Sequence, residues 1–128
     1  MKTVLLVDDD EIANFLNSKV LQQTGLAREI HSALNGQQAI TVINEDFLGS
    51  QTLPDVILLD INMPIMNGFE FIEAFHRLTI PGIDTVKIVI VSSSQDERDR
   101  MHAIELGVNC FLTKPIQSEE LKQILSDN

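Results

Sequence analysis

The chain is short of cysteine, of positive charge and of long apolar runs, and each shortage removes a class of protein. Its one cysteine, Cys110, has no partner for an internal disulfide, which excludes a stapled secreted scaffold and makes a reducing compartment, the cytoplasm, the expected home. Lys and Arg number 9 against 19 Asp and Glu, a formal net charge of −10. Such a surface is repelled by the nucleic-acid backbone and by anionic membranes, so neither is an expected partner, while cations and basic protein surfaces are. No apolar run approaches the roughly 18 residues of a membrane span, and the opening MKTVLLVDD meets Asp8 too soon for a signal peptide. There is no repeat, low-complexity segment or long linker. The 128 residues are read as one domain, 1–128, with no effector domain.

What is present is an alternation, five times over, of short apolar runs with stretches of helical spacing. Thr3 to Val7, Val56 to Leu59, Lys87 to Val91 and Cys110 to Thr113 read as strands, the second of them buried on both faces because its apolar run is unbroken. Arg28 to Ala33 is mixed in polarity, as an edge strand can be. Between the strands, Ile12, Phe15, Leu16 and Val20 recur at three- and four-residue intervals in a first helix that stops at Gly25. Asn35 caps a second helix whose Ala39, Ile43 and Phe47 fall at i, i+4 and i+8, and the third begins near Gly68 with Phe71 or Ile72, Phe75 and Leu78 as its inner stripe. Ser94 caps a fourth, whose Met101, Ile104 and Val108 share a face, and Ser118 opens a fifth with Leu121, Ile124 and Leu125 inside. Strands alternating with helices specify an α/β fold, a parallel five-stranded sheet in a (βα)5 three-layer sandwich.

The polar residues that follow the apolar runs carry the functional signal. Asp8 and Asp9 follow the first strand, Asp60 the third, Ser92 the fourth and Lys114 the fifth. Carboxyl ends of parallel strands share one edge, where open sheets bind ligands, so these groups converge despite their separation in sequence. Two unit charges about 4 Å apart repel by roughly 4 kcal/mol at an effective dielectric of 20, so three carboxylates require counter-ions. Lys114 supplies one positive charge and a divalent metal the other. Oxygen ligands without histidine or cysteine select a hard cation, Mg²⁺ before Ca²⁺, and Mn²⁺ also fits. Asp10 and Glu11 are read as an acidic first turn, whereas Asp9 is read as a ligand and Asp8 as reaching the metal only through water. A carboxylate beside such a metal can attack phosphorus, which makes Asp60 a candidate nucleophile, with Lys114 and Ser92 contacting phosphoryl oxygens.

Taken together, VLLVDDDE, DVILLDINMPIMNGFEF, VIVSSS and FLTKPI resemble the receiver domains of bacterial two-component response regulators, of the stand-alone, chemotaxis-regulator-like kind, over essentially the whole chain. The resemblance implies a flavodoxin-like sheet of order 2-1-3-4-5, with Asp60 as phosphoacceptor from a histidine kinase or histidine phosphotransfer protein. It implies that Asp9, Asp60 and the backbone carbonyl of Asn62 ligate Mg²⁺, with Asp8 acting through water, and that the Lys114–Pro115 bond is cis. Ser92 and Phe111 would form the switch, repacking the face that docks a downstream protein. The only catalysis implied is the domain's own phosphorylation and dephosphorylation. Gly68 would permit a close turn into the third helix.

Three positions depart from the commonest pattern: Ser92 stands for threonine, Phe111 for tyrosine and Asn67 for aspartate. The loops at 48–54 and 79–85 are longer than in the smallest members. Two other readings of the same residues are a Mg²⁺-dependent phosphatase using an aspartate nucleophile and an interaction module that works without phosphorylation. The first expects an aspartate two residues after the nucleophile, where this chain has Asn62; intact Asp9, Asp60 and Lys114 weigh against the second.

Overall fold

The computed structural model describes residues 1–47, 53–93, 96–108 and 110–126. Strands β1 (Lys2–Val7), β2 (Ala27–Ala33), β3 (Val56–Leu59), β4 (Lys87–Ser92) and β5 (Phe111–Thr113) form one sheet in the order β2-β1-β3-β4-β5. All four pairings are parallel, so each connection crosses a face and carries a helix with it. Those helices are α1 (Glu11–Thr24), α2 (Gly36–Val42), α3 (Gly68–His76), α4 (Glu97–Glu105) and α5 (Ser118–Ser126). No described helix is long and apolar enough to cross a membrane.

The unbroken apolar strands divide their side chains between two cores. Leu5, Val7, Ile57, Leu59 and Ile90 meet Ala39, Phe71, Ile72 and Phe75 on one face of the sheet. Val4, Leu6, Leu58, Val89 and Val91 meet Leu21, Leu121, Ile124 and Leu125 on the other. Side chains alternate across a strand, so a run apolar at every position is what a doubly covered sheet requires.

Local chemistry sets the helix ends. Asn35 accepts from the Gln38 N–H at 2.8 Å. Asn67 and Glu70 form a reciprocal capping box at the start of α3, with bonds of 2.9 and 3.0 Å. Gly25 ends α1 in the left-handed conformation at φ 71°. Ser94, expected to cap α4, lies outside the described residues; the cap is Asp96, which accepts from the Arg98 N–H at 2.9 Å. Much of the expected 48–54 loop and the side chain of Phe47 lie there too. The 79–85 loop contains a short 3₁₀ turn at Ile83–Thr85, and α2 runs on through a π turn at Ile43–Phe47.

Two helices turn spaced apolar residues toward solvent. On α1, Ile12, Phe15 and Leu16 are 69, 60 and 56 per cent exposed, Val20 is half-buried, and the buried residues are Asn14 and Leu21. On α4, Met101 and Ile104 are exposed, and the helix reaches the core through Ala103, with Val108 buried beyond its end. Helical spacing identifies residues that share a face; it does not say which way that face turns. The stripes of α3 and α5 point inward as expected, although Leu78 falls just beyond α3 and is only half-buried. Smaller differences are that β2 begins at Ala27, β4 includes Ser92, and β5 begins at Phe111, leaving Cys110 outside it.

Candidate functional site

Sheet register gathers the site. Val7 pairs with Leu59, Leu59 with Ile90, and Ser92 with Thr113, so Asp8, Asp60, Ser92 and Lys114 stand together at one edge. The strand ends are tied: the Asp60 N–H donates to the Val7 carbonyl at 2.9 Å, and the Lys114 N–H to the Ser92 carbonyl at 3.1 Å. Gly68 brings the start of α3 against the end of β3. A Cβ there would stand 2.6 Å from the Asp60 carbonyl oxygen and 2.9 Å from the Ile61 Cα, closer than real contacts allow. The expectation of a close turn is met by backbone atoms that no side chain can displace cheaply.

Carboxylate oxygens of Asp8, Asp9 and Asp60 lie within 4.8 Å of one another. Asp8 and Asp60 are buried and Asp9 is exposed, so the cluster opens to solvent on one side. The Lys114 Nζ lies 2.9 Å from Asp8 Oδ2 and 3.9 Å from Asp60 Oδ2. One ammonium among three carboxylates leaves negative charge over, and three oxygen donors this close fit a hard divalent cation. Asp60, Asp9 and Asp8 would hold it.

Charge and burial compete at Asp60. Burial pushes its carboxyl group up, Lys114 pulls it down, Asp8 pushes it up, and the backbone N–H groups of Ile61 and Asn62 pull it down; the balance lies above the ordinary value. The fold therefore holds this proton more tightly than the unfolded chain does. Its contribution to stability is full below the unfolded pKa and is lost as pH rises through the folded one. At Lys114 burial works against the charge, but the hydrogen bond to Asp8 and the fields of Asp60, Asp8 and Asp9 outweigh it, so its pKa is raised and the ammonium persists.

The Lys114–Pro115 peptide is cis. Ser92 is buried at the end of β4 and shares the wall of a cavity of about 320 Å³ with Phe111, which is half-buried. Asn62 follows Asp60 as an exposed residue whose N–H serves the Asp60 carboxylate. His31, His76 and His102 lie away from this edge, His31 beside Glu29 and His102 stacked on Phe69.

Asn14 is a site residue that the spacing concealed. It lies on α1 between Ile12 and Phe15 and looks like an ordinary polar position, yet it is buried and donates from Nδ2 to the carbonyls of Asp8 at 3.0 Å and Ala33 at 3.4 Å. It pins the first turn of α1 to the ends of β1 and β2, and so fixes the backbone that carries Asp8 and Asp9. A buried helix position facing two strand-end carbonyls needs a donor, and sequence alone does not reveal those carbonyls.

A family model described as the response regulator receiver domain matches residues 4–126. The chain is 32% identical over 121 residues to the alkaline phosphatase synthesis transcriptional regulatory protein SphR of Synechococcus elongatus, covering 92% of this chain and 45% of SphR. It thus spans less than half the length of that relative. The crystal structure of a two-component response regulator from Cytophaga hutchinsonii superposes with a TM-score of 0.85 at 35% identity, over 95% of this chain and 92% of that one. The Mn²⁺-bound form of response regulator Rcp1 superposes with a TM-score of 0.74 at 27% identity, over 98% of this chain and 89% of that one.

Proposed function

The chain belongs to the response regulator receiver domain family, the phosphoryl-accepting switches of two-component signalling, and from that premise we propose that Asp60 is the acceptor. The observation that carries this reading is the position of its carboxylate, at the end of β3 with Lys114 Nζ 3.9 Å away and the Asp8 and Asp9 carboxylates within 4.8 Å. An Asp60 oxygen attacks the phosphorus of a phosphohistidine on a histidine kinase or phosphotransfer protein. The new O–P bond forms as the P–N bond breaks, and the imidazole leaves with the electron pair and takes up a proton. Lys114 and Ser92 contact phosphoryl oxygens and stabilise the charge that develops there. Hydrolysis of the acyl phosphate resets the domain.

Asp9, Asp60 and the Asn62 backbone carbonyl are the proposed ligands of Mg²⁺, or of Mn²⁺ as in the Rcp1 structure, with Asp8 acting through water. The bound cation neutralises charge on the transferring group. Asp8 holds the Lys114 ammonium at the pocket, 2.9 Å from its Oδ2. Ser92 follows the phosphoryl group and Phe111 turns inward, repacking the surface around β5 for a downstream protein. Cysteine usage and charge support a cytoplasmic setting with protein partners rather than nucleic acid or membrane.

The test is incubation with Mg²⁺ and acetyl phosphate followed by intact mass measurement. The expected product gains one phosphoryl group, and Asp60→Asn gains none. Gain that persists in Asp60→Asn, or no gain by the native chain, overturns the assignment.

A further inference from the structure

One contact on the proposed switch ring has no part in phosphoryl transfer. Arg100, near the start of α4, places its guanidinium over Phe111, with Cζ 4.6 Å from the ring centroid. That separation is within the range of about 6 Å in which a cation is attracted to an aromatic face. The ring is half-buried at the first position of β5. Beside it lies the cavity of about 320 Å³ whose walls include Ile61, Ile90 and Ser92, all buried. A cavity of about 150 Å³ already admits a benzene ring, so Phe111 has space to move toward Ser92.

We propose that Arg100 is a latch that holds Phe111 in its resting position, so that the strength of one guanidinium–ring contact sets how readily the switch turns. The latch rests on the reading of Phe111 as the moving ring. Asp96, Glu97 and Asp99 line the same cavity, and their carboxylates favour a cation at the surface. A ring that turns inward leaves the guanidinium behind and loses the attraction. An interaction made in one state and not in the other shifts the equilibrium by its full worth. For a cation over an exposed ring that worth corresponds to about a two- to fivefold change in population. The contact is specific to what stands at position 100: methionine preserves the reach and the packing and removes the charge, while lysine keeps the charge without the flat face.

The experiment uses the full chain labelled with ring-¹³C phenylalanine, with the Phe111 signal assigned by its loss in Phe111→Leu. Spectra are recorded without divalent metal and during titration with beryllofluoride and Mg²⁺. In the native chain beryllofluoride moves the Phe111 signal. In Arg100→Met the metal-free signal already lies part of the way toward that end point, beryllofluoride binds about two- to fivefold more tightly, and Arg100→Lys falls between. The other phenylalanine signals and the melting temperature stay within error, which separates a latch from a general loosening of α4. A Phe111 signal that moves with beryllofluoride but not in metal-free Arg100→Met overturns the latch alone, as does weaker beryllofluoride binding by Arg100→Met. A native Phe111 signal that ignores beryllofluoride overturns the latch together with the switch role of Phe111, while phosphorylation of Asp60 would stand on its own mass measurement.

Discussion

Helices α3 and α1 both carry apolar residues at helical spacing, more strongly segregated on α3, and turn them in opposite directions. Phe71, Ile72 and Phe75 of α3 are sealed in the core, whereas Ile12, Phe15 and Leu16 of α1 face solvent. α1 is seated instead by Leu21 and by the buried amide of Asn14, bonded to strand-end carbonyls. The same division separates α5, whose Leu121, Ile124 and Leu125 are buried, from α4, which buries Ala103 and exposes Met101 and Ile104. The two outward-facing helices are the ones that follow β1, which ends at Val7 just before Asp8, and β4, which ends at Ser92. α3 and α5 are thus held by buried apolar residues, whereas α1 and α4 present Ile12, Phe15, Leu16, Met101 and Ile104 to solvent.

Replacing residues along this divide tests it, beginning with the largest effect. Phe75→Ala removes a fully buried ring and is expected to cost about 3–5 kcal/mol in urea unfolding. A loss near that of a surface residue would mean that α3 does not anchor the core. Asn14→Leu keeps roughly the same volume and removes the donor, leaving the Asp8 carbonyl short of a partner. It is expected to cost about 1–3 kcal/mol, and a gain in stability would show that α1 is seated by apolar contact after all. Phe15→Ser is expected to change stability by no more than about 0.5 kcal/mol, because the ring is 60% exposed and lies under the exposed Lys19 ammonium at 5.2 Å. A cost approaching that of Phe75→Ala would erase the distinction between the helices.

The sheet and the place where the polar groups gather were legible because both follow from one rule, that apolar runs become parallel strands whose carboxyl ends meet. Asp8, Asp9, Asp60 and Lys114 are brought together as that rule requires. The orientation of α1 and α4 was not legible, since it depends on what the neighbouring strands offer: the Asp8 carbonyl takes its donor from Asn14, while the Ala33 carbonyl already accepts from the Asp8 N–H, and a buried Asn14 leaves Phe15 turned out. Arg100 gave no signal either. Its meaning comes from Phe111, eleven positions along the chain and on another element, a pairing that periodicity cannot register.

The groups of the pocket come from four different strands, and no hairpin joins any two of them. A partly made or partly melted chain can therefore display the aspartate without the lysine that accompanies it, because the two belong to stretches completed at different times during synthesis. With Asp60 as the proposed acceptor and Lys114 as its proposed phosphate contact, competence to receive a signal requires the last strand to dock, which makes the chemistry a check on the integrity of the whole molecule.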